Sequence, residues 1–284
     1  MPFRFAVASF VGVAHSIEEF AAIIRAAGYE GVEWRLNDPG HLRPSSLAED
    51  IRRARKVQKD QGIHPLALTS YIKILNVERV KPEIDAAAEL GARHIRIEWP
   101  TFYDGSRHAA EVFDETRRAM DQLTPYLEKA KVIGILETHR RCIWPTASAA
   151  KRLIETYSPS VWQVMYDPGN ITGGLEDPCY AFDILGEHLA YLQFKNAGWA
   201  RHEGVYRWGW MPMRDGMVDW PTLIPYLRKR GYNGWLSNEN FLLQPPELRA
   251  ATKEALPELA LGDALAHRDL KGGLIRDREY VETL

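Results

Sequence analysis

Eight times in succession a short apolar run is followed by an amphipathic helical pattern, the alternation expected of βα units that build a parallel sheet. FRFAVASF leads into SIEEFAAIIRAAG, where Ser16 and Glu19 are spaced as a capping box and Gly28 as a helix stop. GVEWRL precedes SLAEDIRRARKVQKDQG, HPLALTS precedes NVERVKPEIDAAAELG, and HIRIEWP precedes a helical stretch from about Ala109 to Lys131. IGILETH is followed by TASAAKRLIETYS, and WQVMYDPGN by a short helix in PCYAFDILG. LAYLQFKN runs through a long loop into WPTLIPYLRKRG, and GWLSNEN precedes the helical pattern PELRAATKEALPELALGDALA. Eight is the number at which such a sheet closes on itself, and 284 residues suit a (β/α)8 TIM barrel, which takes about 250. The sequence therefore predicts one α/β domain over residues 1–270, with the tail 271–284 as an extra helix or an oligomer contact. The rival, an open doubly wound sheet, lacks GxGxxG after the first strand, and GxxxxGK[ST] is absent throughout.

A formal charge of -2 gives no electrostatic reason to expect nucleic acid or an anionic membrane as partner, which leaves small molecules. Cys142 and Cys179 are too few for a disulfide framework and lie outside any CxxC spacing, as suits a reducing cytoplasm. The apolar stretch FAVASFVGVA imitates the centre of a signal peptide, but it runs into a helix start rather than a cleavage site and is read as a buried first strand. No stretch approaches the roughly 20 apolar residues that cross a bilayer.

Side chains alternate across a strand, and in a barrel one face of every strand looks inward, with functional positions at the C-terminal strand ends. In IGILETH the alternation groups Ile133, Ile135, Glu137 and His139; in WQVMYD it groups Gln163, Met165 and Asp167. LAYLQFKN contributes Tyr191, Gln193 and Lys195, and GWLSNE contributes Trp235, Ser237 and Glu239. Four consecutive strands thus end in an inward oxygen donor: Glu137, Asp167, Gln193 and Glu239. Three converging carboxylates raise one another's pKa unless a cation sits among them, and an all-oxygen set favours Mn²⁺ or Mg²⁺ over Zn²⁺. Any one of these groups taken alone is more often a loop solvator or an arginine partner; four in register on adjacent strands argue for one divalent ion.

Lys195 either steadies charge on a substrate oxygen or balances Asp167 and Glu239. His139 is a candidate substrate contact, or holds the adjacent loop. In HIRIE the inward Arg96 and Glu98 read as an internal ion pair. The loop NAGWARHEGVYRWGWMPMRDG holds Trp199, Trp208, Trp210, Met211 and Met213, suited to the apolar face of a sugar ring or to a subunit interface. Trp34, Trp99 and Trp144 lie near strand ends and are placed with the same pocket, while Arg201 and His202 offer charge to a carboxylate or phosphate.

ILETH, MYDPGN, LQFKN and GWLSNEN, in that order, resemble the sugar phosphate isomerase/epimerase superfamily, whose barrel is xylose isomerase-like. GYEGVEWR and GMVDWPTLIPYLRKRGYNGWLSNEN extend the resemblance over nearly the whole chain. It implies one divalent metal held by Glu137, Asp167, Gln193 and Glu239, with Glu137 and Glu239 also the catalytic acid and base. Gln193 departs from the more common histidine and is similar to certain 3-dehydroshikimate dehydratases. Asn170 stands where many epimerases have a substrate-contacting histidine, which makes it a substrate-binding candidate.

The expected chemistry is abstraction of a proton beside a carbonyl through a metal-stabilised enediolate, on a sugar, keto-sugar or related polyol ketone. Isomerase or epimerase action leads; a lyase or dehydratase on the same fold is the alternative, followed by a non-catalytic sugar-binding protein. A DNA-repair endonuclease of the same barrel would need many inward histidines that are missing here. The resemblance also implies a homo-oligomer, dimer or tetramer.

Overall fold

The computed structural model describes every residue except 1–2, 99–102, 141, 172–175, 203, 244–258 and 261–268. Eight parallel strands close a barrel: β1 (Arg4–Ala8), β2 (Gly31–Arg35), β3 (His64–Lys73), β4 (His94–Glu98), β5 (Ile133–Glu137), β6 (Trp162–Tyr166), β7 (Leu189–Phe194) and, after an inserted hairpin, β10 (Trp235–Asn238). The ring closes where β1 pairs with β10, Arg4 opposite Trp235 through Val7 opposite Asn238. Helices α1 (Ile17–Ala26), α2 (Leu47–Gln61), α3 (Val77–Leu90), α4 (Ala109–Ala130) and α5 (Ala147–Ile154) follow the first five strands. After β6 come the single turn α6 (Pro168–Ile171) and α7 (Pro178–Leu185), and α8 (Trp220–Lys229) precedes β10.

Local chemistry sets these boundaries. Ser16 and Glu19 form the reciprocal capping box at the start of α1. Gly62 and Gly91 end α2 and α3 in left-handed conformations that a side chain would strain. Both cysteines are free thiols, and no helix among the described residues is long and apolar enough to cross a membrane.

The core has two shells, as strand alternation requires. Ile133, Ile135, Met165, Tyr191 and Trp235 pack inside the barrel with Ala6, Leu66 and Ala67. Their sequence neighbours Leu136, Val164, Leu192 and Leu236 face the helices in the larger outer cluster. Trp34 belongs to that outer layer, fully buried against Phe20 and His41, so it does not line the mouth.

Two segments differ from the sequence expectation. The stretch read as a long loop after β7 is an antiparallel hairpin, β8 (Asn196–His202) and β9 (Val205–Met211), with Trp199 opposite Trp208. Gly204, at φ 83°, supplies the left-handed residue its tight turn needs. A two-residue strand, β11 (Leu259–Ala260), adds to β9. The rest of the helix expected over 246–266 lies outside the described residues. The tail forms α9 (Leu270–Thr283), which packs on the barrel: the Tyr29 hydroxyl donates to the Leu274 carbonyl at 2.9 Å.

Candidate metal centre

Three of the four predicted donors meet at the C-terminal mouth of the barrel. Glu137, Asp167 and Glu239 each place a carboxylate oxygen within 4.8 Å of the others. Oxygens bonded to one hard dication at 2.0–2.6 Å lie up to roughly 5 Å apart, so a single ion can touch all three. The fourth, Gln193, is buried on β7 directly opposite Ser237 of β10.

The short motifs carrying these residues are built to hold them. Glu137 ends β5, and the Trp144 indole donates to its backbone carbonyl at 2.8 Å. The next residue, Thr138, accepts the Asp167 backbone N–H at 2.9 Å, tying the ends of β5 and β6 together. In DPGN, Asp167 Oδ1 accepts the Asn170 N–H at 3.2 Å, capping the turn α6, with Pro168 in its first position. Gly169 is small because a Cβ there would stand 2.6 Å from the Lys195 side chain. Asn170 donates its amide to Glu137 Oε1 at 2.7 Å and to the Thr138 carbonyl at 3.3 Å.

Cations already balance the carboxylates. Lys195 Nζ lies 2.7 Å from Asp167 Oδ2 and 2.5 Å from Glu239 Oε2, with its side chain 1% exposed. Burial opposes its charge, but Asp167 and Glu239 overcome that and hold the ammonium above the ordinary lysine range. Burial pushes the Asp167 carboxyl up, against the pull of Lys195 and with Glu137 and Glu239 adding to the rise. Arg96 bridges Glu137 at 3.1 Å and Glu98 at 3.5 Å, so the internal pair expected on β4 also reaches β5. Of the two roles open to Lys195, charge balance is the one visible in these contacts.

The remaining candidates divide. His139 lies past the end of β5, its Nδ1 2.8 Å from the Arg140 carbonyl; burial lowers its pKa to about 3, so the ring is neutral, with Nδ1 the donor. Trp199 and Arg201 stand exposed on β8, Arg201 close to the hairpin turn. Trp208 and Trp210 of β9, on the same face of the hairpin, are buried. Trp210 stacks on Phe241 at 4.3 Å, and Lys195 Nζ sits over both rings at 4.7 and 4.9 Å. Arg140 lies 3.6 Å over Trp208. Trp99 lies outside the described residues. Asn196 anchors the hairpin's base, donating to the Met213 carbonyl at 2.8 Å and accepting the Val218 N–H at 2.9 Å.

Sequence reasoning missed a second polar group inside the barrel. Glu33 of β2 is 1% exposed and accepts from Ser237 Oγ, from the Tyr191 hydroxyl at 2.8 Å and from Gln193 Nε2 at 3.3 Å. Burial pushes its carboxyl up to about 7, against the pull of Ser237, Tyr191 and Gln193. Two residues on, Arg35 donates to the Tyr71 hydroxyl at 2.8 Å. Alternation in GVEWR sets Glu33 and Arg35 opposite Val32 and Trp34, so the pattern that found the later donors reaches these as well.

The donor set fits a divalent ion. It offers three carboxylates in reach of one point and a buried amide oxygen, Gln193 Oε1, that lacks a hydrogen-bond partner among the described residues. Oxygen-only donors suit Mg²⁺ or Mn²⁺.

A family model described as a xylose isomerase-like TIM barrel matches residues 21–259. An inosose dehydratase of Geobacillus kaustophilus (strain HTA426) is 22% identical over 153 residues, 49% of this chain and 44% of that protein, so the match spans less than half of that relative's length. Among solved structures, the apo 3-keto-D-glucoside 4-epimerase of E. coli superposes with a TM-score of 0.71 at 15% identity, covering 100% of both chains. The probable 3-DHS dehydratase AsbF of Bacillus anthracis superposes at 0.69 and 16% identity, over 96% of this chain and 97% of that one. At these identities the superpositions speak for the fold.

Proposed function

The chain belongs to the xylose isomerase-like TIM barrel family, and from that premise we propose that it is a divalent-metal-dependent isomerase or epimerase acting beside the carbonyl of a sugar, keto-sugar or related polyol ketone. The observation that carries this reading is the convergence of Glu137, Asp167 and Glu239 at the barrel mouth. Gln193 joins them as the fourth donor, and Mn²⁺ or Mg²⁺ is the ion. When bound, such an ion supplies a Lewis acid that draws charge from the carbonyl and the neighbouring hydroxyl and makes the adjacent C–H more acidic.

The chain's own residues then move the proton. Glu137 and Glu239 take it and return it from opposite sides of the substrate. Asn170 fixes one oxygen of Glu137 and Arg96 the other, which holds that carboxylate in a single orientation. Lys195 holds one oxygen of Glu239, Oε2. Return to the opposite face inverts the carbon; return to the neighbouring carbon interconverts aldose and ketose.

A second reading, a dehydratase, is supported by Lys195. The Lys195 ammonium beside Glu239 can hold the hydroxyl that departs β to the carbonyl, and the carboxyl that has taken the α-proton passes it to that hydroxyl, so that water leaves. The curated relative is itself a dehydratase.

One experiment tests both. The Mn²⁺-loaded protein is incubated in D₂O with ketoses, 3-keto-glycosides and cyclic polyol ketones, and products are read by mass spectrometry and NMR. Deuterium entering next to the carbonyl of an isomer supports the first reading, and a product lighter by one water supports the second. Neither exchange nor water loss across the panel overturns both.

A further inference from the structure

We propose that Glu33 is a positioning residue that fixes the Gln193 amide with its nitrogen on β2 and its oxygen turned to the carboxylates at the barrel mouth. The proposal rests on Gln193 serving as a metal donor, and it names what makes a glutamine serviceable there. A glutamine side chain has two ends of nearly equal shape, one a donor and one an acceptor, and only the acceptor can hold a cation. Which end faces the site is decided by whatever the other end meets.

Glu33 decides it. Both of its carboxyl oxygens are taken up as acceptors, and three donors converge on them: Ser237 Oγ and Gln193 Nε2 on Oε1, and the Tyr191 hydroxyl on Oε2. The flipped amide would set Gln193 Oε1 against Glu33 Oε1, two acceptors face to face at sites each 1% exposed. An unsatisfied buried pair of that kind empties the flipped state by roughly 5–150-fold. The other end of the amide carries the complementary sign, because Gln193 Oε1 is buried and has no hydrogen-bond partner among the described residues. Sequence geometry makes the reach possible: between β2 and β10 stands β1, whose residue in register with both Gly31 and Ser237 is the small Ala6. The arrangement follows the general behaviour of outer groups that hold a ligating side chain in one orientation, whose loss typically weakens metal binding about 10–100-fold.

A double-mutant cycle on the full chain tests this, with Mn²⁺ affinity measured by isothermal titration and each variant's Tm recorded. Glu33→Gln can accept from the Gln193 amide nitrogen or donate to its oxygen, so it tolerates either orientation and should weaken Mn²⁺ binding about tenfold or more. Gln193→Glu presents an oxygen whichever way it turns, so in that background Glu33→Gln should cost nothing further. Glu33→Asp, which keeps the charge and shortens the reach, should show the same split and serves if Glu33→Gln does not fold. Equal losses in both backgrounds, or unchanged affinity on the wild-type background, would overturn the role of Glu33 alone. A wild-type protein that binds neither Mn²⁺ nor Mg²⁺ would overturn the metal reading and this proposal with it.

Discussion

Asn170 donates its side-chain amide to Glu137 at 2.7 Å from a turn in which its own N–H is capped by Asp167. Two acidic residues of adjacent strands are thereby linked through one four-residue segment, and the aim of Glu137 depends on it.

Asn170→Ala should therefore lower kcat more than it raises KM. A hydrogen bond to a charged group contributes about 1.5–3 kcal/mol, which corresponds to a loss of roughly 10–100-fold. Steady-state kinetics on whichever substrate the exchange panel identifies would check it; a rise in KM alone would instead make Asn170 a substrate contact.

Glu239→Gln should keep the shape of the mouth and lose the base. Turnover should fall by about 10²–10⁴-fold, the usual contribution of a placed general acid or base. Chelation with EDTA should abolish wild-type turnover and added Mn²⁺ or Mg²⁺ restore it; activity that survives thorough chelation would contradict metal dependence.

Lys195→Met removes the ammonium between Asp167 and Glu239 and leaves two carboxylates without that counter-charge. Breaking a buried pair in this way costs about 3–5 kcal/mol, so the metal-free variant should melt well below wild type. Added Mn²⁺ should raise the variant's Tm by more than it raises the wild type's. Thermal unfolding with and without Mn²⁺ reads both, and equal rises would argue against a shared location for lysine and ion.

Asp277 of α9 accepts from Asn238 at 3.1 Å and Asn240 at 2.9 Å, the two residues flanking Glu239. Burial raises its pKa to about 6, against the hydrogen bonds from Asn240 and Asn238. The folded state thus holds the proton more tightly than the unfolded chain, where Asp titrates near about 3.9. The resulting stabilisation is complete below about pH 4 and is lost as pH rises through about 6. Asp277→Asn keeps an accepting oxygen without the charge, so it should raise Tm by roughly 2–6 °C at about pH 8 and leave it unchanged near pH 4. A shift of the same size at both would mean that titration is not its cause.

Much of the barrel was legible because two periodicities, 2.0 and 3.6, repeat eight times, and because alternation sorts side chains without knowledge of what they touch. Ile133, Met165, Tyr191 and Trp235 fall inside the barrel as that rule requires. The rule gives facing but not distance, so it grouped Gln193 with the carboxylates and could not show that Glu33 lies against its nitrogen. Lys195 was ambiguous for the same reason, since contact with Asp167 depends on barrel curvature. The hairpin after β7 was hidden by composition: its tryptophans read as loop aromatics, and its turn rests on Gly204 rather than an Asn-Gly pair.

Barrel closure places Glu239 immediately after the last stave, whose residues 235–238 zip to residues 4–7 at the opposite end of the chain. A ribosome that has made Glu137, Asp167 and Gln193 has made seven staves of a ring that is still open. The third carboxylate of the mouth, Glu239, arrives only with the final seam, and a chain cut short before that seam brings just Glu137 and Asp167 together.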